Sequence, residues 1–371
     1  MIQPLSRQFA IRACASLLAL SGLWLAAPDL ARSQQLEPFL PPPNSLSRTA
    51  PNSIPQVDDK PAVAFEEEMR NFVIKLSRWA KTYRTDFSVI ALNGLELTEF
   101  LETSLFATRG TAEPARNYIR SLDGLMIESP FYGIDSYGVA TEKSESDYIL
   151  GYLNRLKADG LRYFMIDYTD KIEDVRAAMG KLSGLNALYY AAPPPDKQLS
   201  SLTRTPVKPM GENPHAIDNI RDARNYAVIV DSSPFGSKED YVAALADSNY
   251  DILIFDAFHR GMTPLTFDDI KRLRYKKLGT PRTLLAWMNI GTAETYRYYW
   301  QANWVPGAPE FISEPNSTAR WGQEHHVHYW APAWQNVIFG TPESYLGGLM
   351  QLGFDGVVLS GLEEYRWWLD Y

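Results

Sequence analysis

The amino-acid sequence predicts an α/β protein built as a single (β/α)8 TIM barrel with a parallel eight-stranded sheet. Two observations carry that reading. From Phe65 onward, short apolar runs rich in β-branched residues alternate with segments of helical periodicity, the pattern of parallel strands joined by crossover helices. Eight such strand candidates fall within about 300 residues, which suits one barrel with modest insertions.

In order, the candidates are Phe87–Leu92, Gly124–Ile127, Tyr163–Ile166, Ala187–Tyr190, Tyr226–Val230, Ile252–Phe255, Thr283–Ile290 and Gly356–Leu359. Amphipathic segments separate most of them. Asp147–Asp159 is an example, with Ile149, Tyr152, Leu153 and Leu156 on one helical face. Closure places the first candidate beside the eighth and leaves no apolar sheet edge in solvent. The competing architecture is a doubly wound open sheet, but no Gly-rich phosphate fingerprint follows any of the strands.

Two further parts precede the barrel. Residues 1–33 read as a signal peptide: Arg7 and Arg12 precede an apolar run from Ala13 to Ala27 that is short for a bilayer span, and Ala31-Arg32-Ser33 puts small residues at both cleavage positions. Residues 34–62 form a Pro-rich flexible linker, and residues 63–371 the barrel domain. Cleavage near Ser33 implies a secreted or periplasmic protein with no membrane attachment afterwards; an uncleaved N-terminal anchor is the alternative. Cys14, the single cysteine, lies inside the apolar run, so the mature chain has none, which fits export to an oxidising compartment.

Composition narrows the function. A net charge of −8 supplies no basic surface for a phosphate backbone, which argues against nucleic acid as a partner. Aromatic residues make up 13% of the chain and include ten Trp, enough to fill a core and also to line a carbohydrate site, where ring faces stack on pyranoses. No cofactor-binding fingerprint occurs.

In a barrel, chemistry sits on the residues that follow the strands. Here these are Asn93, Glu128, Asp167 with Tyr168, Asp231, Asp256, the run Asn289 to Glu294, and Ser360. A lone acid in such a place is most simply a cap, and Asp231, ahead of Ser232-Ser233-Pro234, fits that role. Five acids on one rim are another matter, because close carboxylates repel and raise each other's pKa. Glycoside hydrolysis uses such a set, one carboxyl protonated and one ionised; divalent-metal binding is the other use. Asp256 and Glu294, at the ends of the adjacent sixth and seventh strands, are the candidate catalytic pair, expected to face one another and share a proton at neutral pH. The plainer alternative has Asp256 capping the turn before Pro264 and Glu294 paired with Arg297.

The segment Gln323–Trp330 carries His325, His326 and His328, whose spacing matches no helical zinc motif. It is expected to be a loop closing over the rim, with no metal bound; if extended, it would turn His326 and His328 to one face and His325 to the other. Neither a Ser–His–acid order nor a Gly-x-Ser-x-Gly elbow occurs.

Several of these segments carry a family likeness. Ala286–Trp300, Trp321-Gly322 with Val327–Trp330, and Gly353–Leu359 resemble the endo-α-1,4-polygalactosaminidase-like (glycoside hydrolase family 114-type) TIM barrels. Ile90–Gly94, Asp123–Gly133 and Met165–Tyr168 resemble later segments of the same exported family, so the likeness covers most of the chain from Phe65. Relative to those barrels the block Tyr226–Leu359 follows the block Phe65–Tyr190 instead of preceding it, a circular permutation that a closed barrel tolerates. The family's Gly-Glu-Ala-Glu reads Gly291-Thr292-Ala293-Glu294 here, and its Asp after the Gly-Phe-Asp-Gly strand is Ser360. One acid is missing at each place, while Glu294 and Asp256 remain.

The resemblance implies a glycoside hydrolase acting on an amino-sugar polymer of galactosaminoglycan type, with Asp256 and Glu294 as acid/base or nucleophile. Candidate substrate-binding residues are Asn93, Glu128, Asp167, Asp231, Tyr296, Arg297, Trp300, Trp321, Trp330 and Ser360. At least two of Tyr296, Trp300, Trp321 and Trp330 are expected to stack on sugar rings. The alternative is a non-catalytic carbohydrate-binding barrel that has lost an acid at Ser360.

Overall fold

The computed structural model describes residues 63–100, 113–194, 197–202, 206, 208–317 and 323–371. Its centre is one all-parallel sheet of eight strands: β1 (Ser88–Leu92), β2 (Gly124–Glu128), β3 (Arg162–Tyr168), β4 (Ala187–Ala192), β5 (Tyr226–Ile229), β6 (Ile252–Phe255), β7 (Thr283–Asn289) and β8 (Gly356–Ser360). These are the eight apolar runs of the sequence, and nearly every residue in them is buried, as strands covered on both faces require. The spatial order is β4-β3-β2-β1-β8-β7-β6-β5. First and last strands pair directly, Ser88 opposite Gly356 and Ala91 opposite Leu359. The chain is a single TIM-like barrel, nearly closed, and not an open doubly wound sheet.

The hydrogen-bonded ladder breaks between β4 and β5. Aromatic side chains cover that seam: the Tyr190 and Tyr226 rings lie 5.7 Å apart, and Tyr226 Oη donates to the Met165 carbonyl at 2.7 Å. Between β4 and β5 the described residues run in turns without a helix.

Helices cover the outside of the sheet. Before β1, α1 (Phe65–Tyr83) buries Met69, Phe72, Val73, Leu76 and Ala80 at helical spacing. Next come α2 (Arg116–Ser121), α3 (Lys143–Arg155), α4 (Ile172–Lys181), α5 (Lys238–Ala246) and α6 (Phe267–Leu273). The sequence places the third of these at Asp147–Asp159; it begins instead at Lys143, because its first turn is polar and shows no apolar period, and it finishes in a 3-10 turn. Ile149, Tyr152, Leu153 and Leu156 are all buried. Two start signals follow capping rules: Ser237 accepts from the Asp240 N–H, and Thr266 forms a capping box with Asp269.

The β7–β8 connection is the longest elaboration. Thr292–Glu294 pairs antiparallel with Glu324–Val327, which pairs with Ile312–Pro315, giving a three-stranded sheet at the rim. Glu324–Val327 is therefore a strand, where the sequence reading expects a loop; pairing with the residues that leave β7 supplies the hydrogen bonds that hold it extended. Then follow α7 (Pro332–Ile338), α8 (Tyr345–Leu352) and, after β8, α9 (Glu364–Asp370). A Cβ on Gly291 would lie 2.0 Å from the Gly361 carbonyl oxygen, so only glycine lets the segments leaving β7 and β8 approach this closely. No helix among the described residues is long and apolar enough to cross a membrane.

Candidate active site

Adjoining clefts open at the C-terminal ends of the strands. One, of about 420 Å³, is lined by residues following β7, β8, β1 and β2, among them Asn93, Glu128, Asn289, Thr292, Glu324, His326, Ser360, Glu363, Glu364 and Trp367. A second, of about 350 Å³, holds Asp231, Asp256, Glu294, Tyr296 and Arg297. Trp287 of β7 borders both, while Asn93, Glu128 and Glu363 also line a third, of about 340 Å³. A larger hollow of about 960 Å³, on the side of Pro193, Phe235 and Tyr250, contains none of the predicted site residues.

Asp256 and Glu294 are brought together, but through a cation. Arg297 donates from Nη1 to Asp256 Oδ1 and from Nη2 to Asp256 Oδ2, both at 2.8 Å. Its Nε donates to Glu294 Oε2 at 2.5 Å, and Nη2 reaches Glu294 Oε1 at 3.3 Å. All three side chains are buried. Tyr296 Oη adds a bond to Glu294 Oε1 at 2.8 Å, and the Phe258 N–H donates to Asp256 Oδ1 at 2.9 Å. Burial pushes the Asp256 carboxyl up and the guanidinium opposes it. Where the sequence reading expects a proton shared between the two acids, Arg297 bridges them with a single positive charge. Arg297, predicted as a substrate-binding residue, lines the second cleft and bridges the two acids there.

Glu324 sits beside this cluster without a cation of its own. Strand pairing puts Glu324 opposite Glu294 and His326 opposite Thr292, and the two-residue period turns Glu324 and His326 to the same cleft. Thr292 Oγ1 donates to Glu324 Oε2 at 2.6 Å and itself accepts from Asn289 Nδ2 at 2.6 Å. Burial pushes the Glu324 carboxyl up to about 7, against the Thr292 hydrogen bond, with the Glu294 and Glu364 charges adding to the rise. His326 Nδ1 is hydrogen-bonded to Glu364 Oε1, and the imidazole lies flat on Trp367, with centroids 3.7 Å apart and planes within 8°. Burial also raises the Glu364 carboxyl, opposed by His326.

The chain matches no family model. It is similar to an uncharacterized protein of Methanocaldococcus jannaschii, 29% identical over 160 residues, or 41% of this chain and 44% of that one. An uncharacterized protein of Thermotoga maritima is 33% identical over 84 residues, covering 23% and 24% of the two chains. One from Deinococcus radiodurans is 30% identical over 123 residues, covering 33% and 36%. The chain thus spans less than half the length of these curated relatives.

The other predicted residues divide. Asn93, Glu128 and Ser360 line the largest rim cleft, and Tyr168 Oη donates to Glu128 Oε1. Asp231 and Tyr296 line the second cleft; Asp231 Oδ1 also accepts the Ser233 N–H at 2.8 Å, but this fixes a turn, and the following helix takes Ser237 as its N-cap instead. Asp167 lines none of these clefts. It is fully buried, with Oδ1 accepting from the Phe131 and Tyr132 N–H groups at 2.9 Å and Oδ2 from Tyr189 Oη at 2.9 Å, so it fastens the loop after β2. Trp300 stacks on His325 at 5.2 Å, and Trp330 packs against Phe65 and Trp368; neither lines any of the three rim clefts. Both rings are partly buried and make these contacts within the β7–β8 connection and with α9. Trp321 lies outside the described residues.

The sequence reading passes over Glu324, Glu363, Glu364, Trp287 and Trp367, all of which line the largest rim cleft. The spacing of Glu324 and His326 was the available signal. Among the described residues no group of three or more His, Cys, Asp or Glu side chains is placed to hold a metal ion.

Proposed function

We propose that this protein is an exported glycoside hydrolase that cleaves an amino-sugar polymer of galactosaminoglycan type at the C-terminal rim of its barrel. One observation carries the reading. The 420 Å³ cleft is lined by four carboxyls, Glu128, Glu324, Glu363 and Glu364, of which Glu363 is paired with Arg366 at 3.2 Å and Glu364 with His326, and by the indoles of Trp287 and Trp367. Carboxylates favour a cationic amino sugar and indole faces favour a pyranose. Asp256 and Glu294 take part as an ionised, Arg297-bound pair whose negative charge favours the positive character that develops at the anomeric carbon. The break in the ladder between β4 and β5 supports the permuted relationship, since a barrel starting at β5 and ending at β4 would have its first and last strands there.

A second reading, a carbohydrate-binding barrel without catalysis, is favoured by the hydroxyls of Thr292 and Ser360 standing where the resemblance implies acids. Incubating purified residues 34–371 with α-1,4-linked galactosamine and N-acetylgalactosamine polymers separates the two. Release of reducing ends supports the hydrolase, binding alone supports the second reading, and neither outcome removes both. Export is checked by the intact mass of secreted material, which begins near Gln34; a product that keeps Cys14 contradicts it.

A further inference from the structure

We propose that Glu324 is the proton donor of the rim cleft, aimed by Thr292 and Asn289. The proposal rests on the hydrolase reading above. Three buried carboxyls, Asp256, Glu294 and Glu324, meet where β7 joins the rim sheet, and desolvation disfavours a charge on each. One guanidinium serves the cluster, and its hydrogen bonds go to Asp256 and Glu294 alone. Glu324 receives a neutral hydroxyl instead, and because that hydroxyl accepts from Asn289 Nδ2, its own proton is directed at Glu324 Oε2. Among the described residues no donor reaches Glu324 Oε1, which leaves that oxygen to carry a proton toward the cleft.

The groups around Glu324 agree. Glu294 faces it from the paired strand and Glu364 from α9, the latter bonded to His326 on the same strand as Glu324. Glu128 and Glu363 line the same cleft, and Arg297 is the cation that acts on it, at longer range. With more anionic than cationic neighbours, a buried carboxyl keeps its proton to higher pH. The carboxyl is held up to about 7, where a group can both give and recover a proton near neutrality.

The step balances without another reagent. Glu324 gives its proton to the glycosidic oxygen as the bond to the anomeric carbon breaks, and the bonding pair leaves with that oxygen as a new hydroxyl. Water then adds to the oxocarbenium-like carbon and returns a proton to the Glu324 carboxylate, so one water is consumed per bond cleaved.

The test compares wild type, Glu324→Gln and Thr292→Val, each as residues 34–371, on an α-1,4-linked galactosamine oligomer and on a 2,4-dinitrophenyl α-galactosaminide, whose leaving group needs no proton. Glu324→Gln is expected to lose about 10²–10⁴-fold in kcat/KM on the oligomer and less than about tenfold on the aryl glycoside, with the alkaline limb of the pH profile abolished. Thr292→Val removes a bond that stabilises the carboxylate, so its alkaline limb moves to higher pH. Thermal midpoints establish that each variant is folded, and if Glu324→Gln does not fold, the Thr292→Val limb decides. Equal losses on both substrates, full oligomer activity in Glu324→Gln, or an unmoved limb in Thr292→Val overturns the assignment and leaves the hydrolase reading standing. A wild type that cleaves neither substrate removes the hydrolase reading and the proton-donor role together.

Discussion

Arg297 meets the Asp256 carboxylate edge to edge, Nη1 to Oδ1 and Nη2 to Oδ2, each at 2.8 Å, with both side chains buried. The same guanidinium turns Nε to Glu294, so it holds two carboxylates on different segments of the rim. Removing it leaves two buried charges without a partner. Arg297→Met is therefore expected to cost about 3–5 kcal/mol in urea unfolding at pH 7.5, with part of the loss recovered at pH 5 as Asp256, already raised by burial, takes up a proton. A cost below about 1 kcal/mol would mean that the clamp contributes little.

The barrel is legible in the sequence because a strand covered on both faces must be apolar throughout, and β5 to β8 are buried from end to end. The residues just after those strands follow at once. Their partners do not. Arg297 reaches Asp256 across 41 residues, and Glu324 meets Thr292 across 32, through an antiparallel register that no local pattern encodes. Asp167 misleads for a related reason: it follows the apolar part of a strand as a site residue would, yet backbone N–H groups of the neighbouring loop satisfy it. Trp300 and Trp330 are rich in aromatic neighbours that sequence spacing cannot reveal.

Stability should fall as pH rises through the range set by Glu324. Its folded carboxyl titrates at about 7, above the ordinary 4.5, so between those values the folded state holds a proton that the unfolded chain has released. The unfolding free energy then declines by something on the order of 3 kcal/mol from pH 4.5 to 7 and levels off above. Asp167, raised to about 6 by burial, adds a similar slope that ends sooner. Denaturant titrations from pH 4.5 to 8 on wild type and Glu324→Gln check this: the variant should lose the slope above pH 6, and an unchanged slope would contradict it.

Glycine chemistry at the rim gives a sharp contrast. Gly291→Ala drives a methyl onto the Gly361 carbonyl and is expected to cost roughly 3 kcal/mol. Gly348, within α8, has nothing within 4 Å of an added Cβ, and Gly348→Ala should stabilise by about 0.5–1 kcal/mol. Thermal melts of both variants read the difference. Equal effects would show that the close crossing after β7 and β8 is not needed.

Two tryptophans should separate packing from recognition. Trp330→Ala opens the cluster with Phe65 and Trp368 and is expected to lose about 3 kcal/mol of stability while leaving the affinity of the folded protein for a galactosamine oligosaccharide unchanged. Trp367→Ala removes a cleft-lining ring and should weaken that affinity about fivefold, the scale of a single stacked ring. Calorimetric titration with chemical denaturation reads both quantities, and the opposite assignment of effects would place the sugar near Trp330.

The most direct measurement is the structure of residues 34–371 with a galactosamine oligosaccharide bound, using Glu324→Gln to prevent turnover. The account places the sugar in the cleft between Glu128 and Glu324, with one pyranose face against Trp287 or Trp367 and a glycosidic oxygen within hydrogen-bond reach of residue 324. Sugar held in the hollow beside Pro193 and Tyr250, or none bound at millimolar concentration, would contradict it.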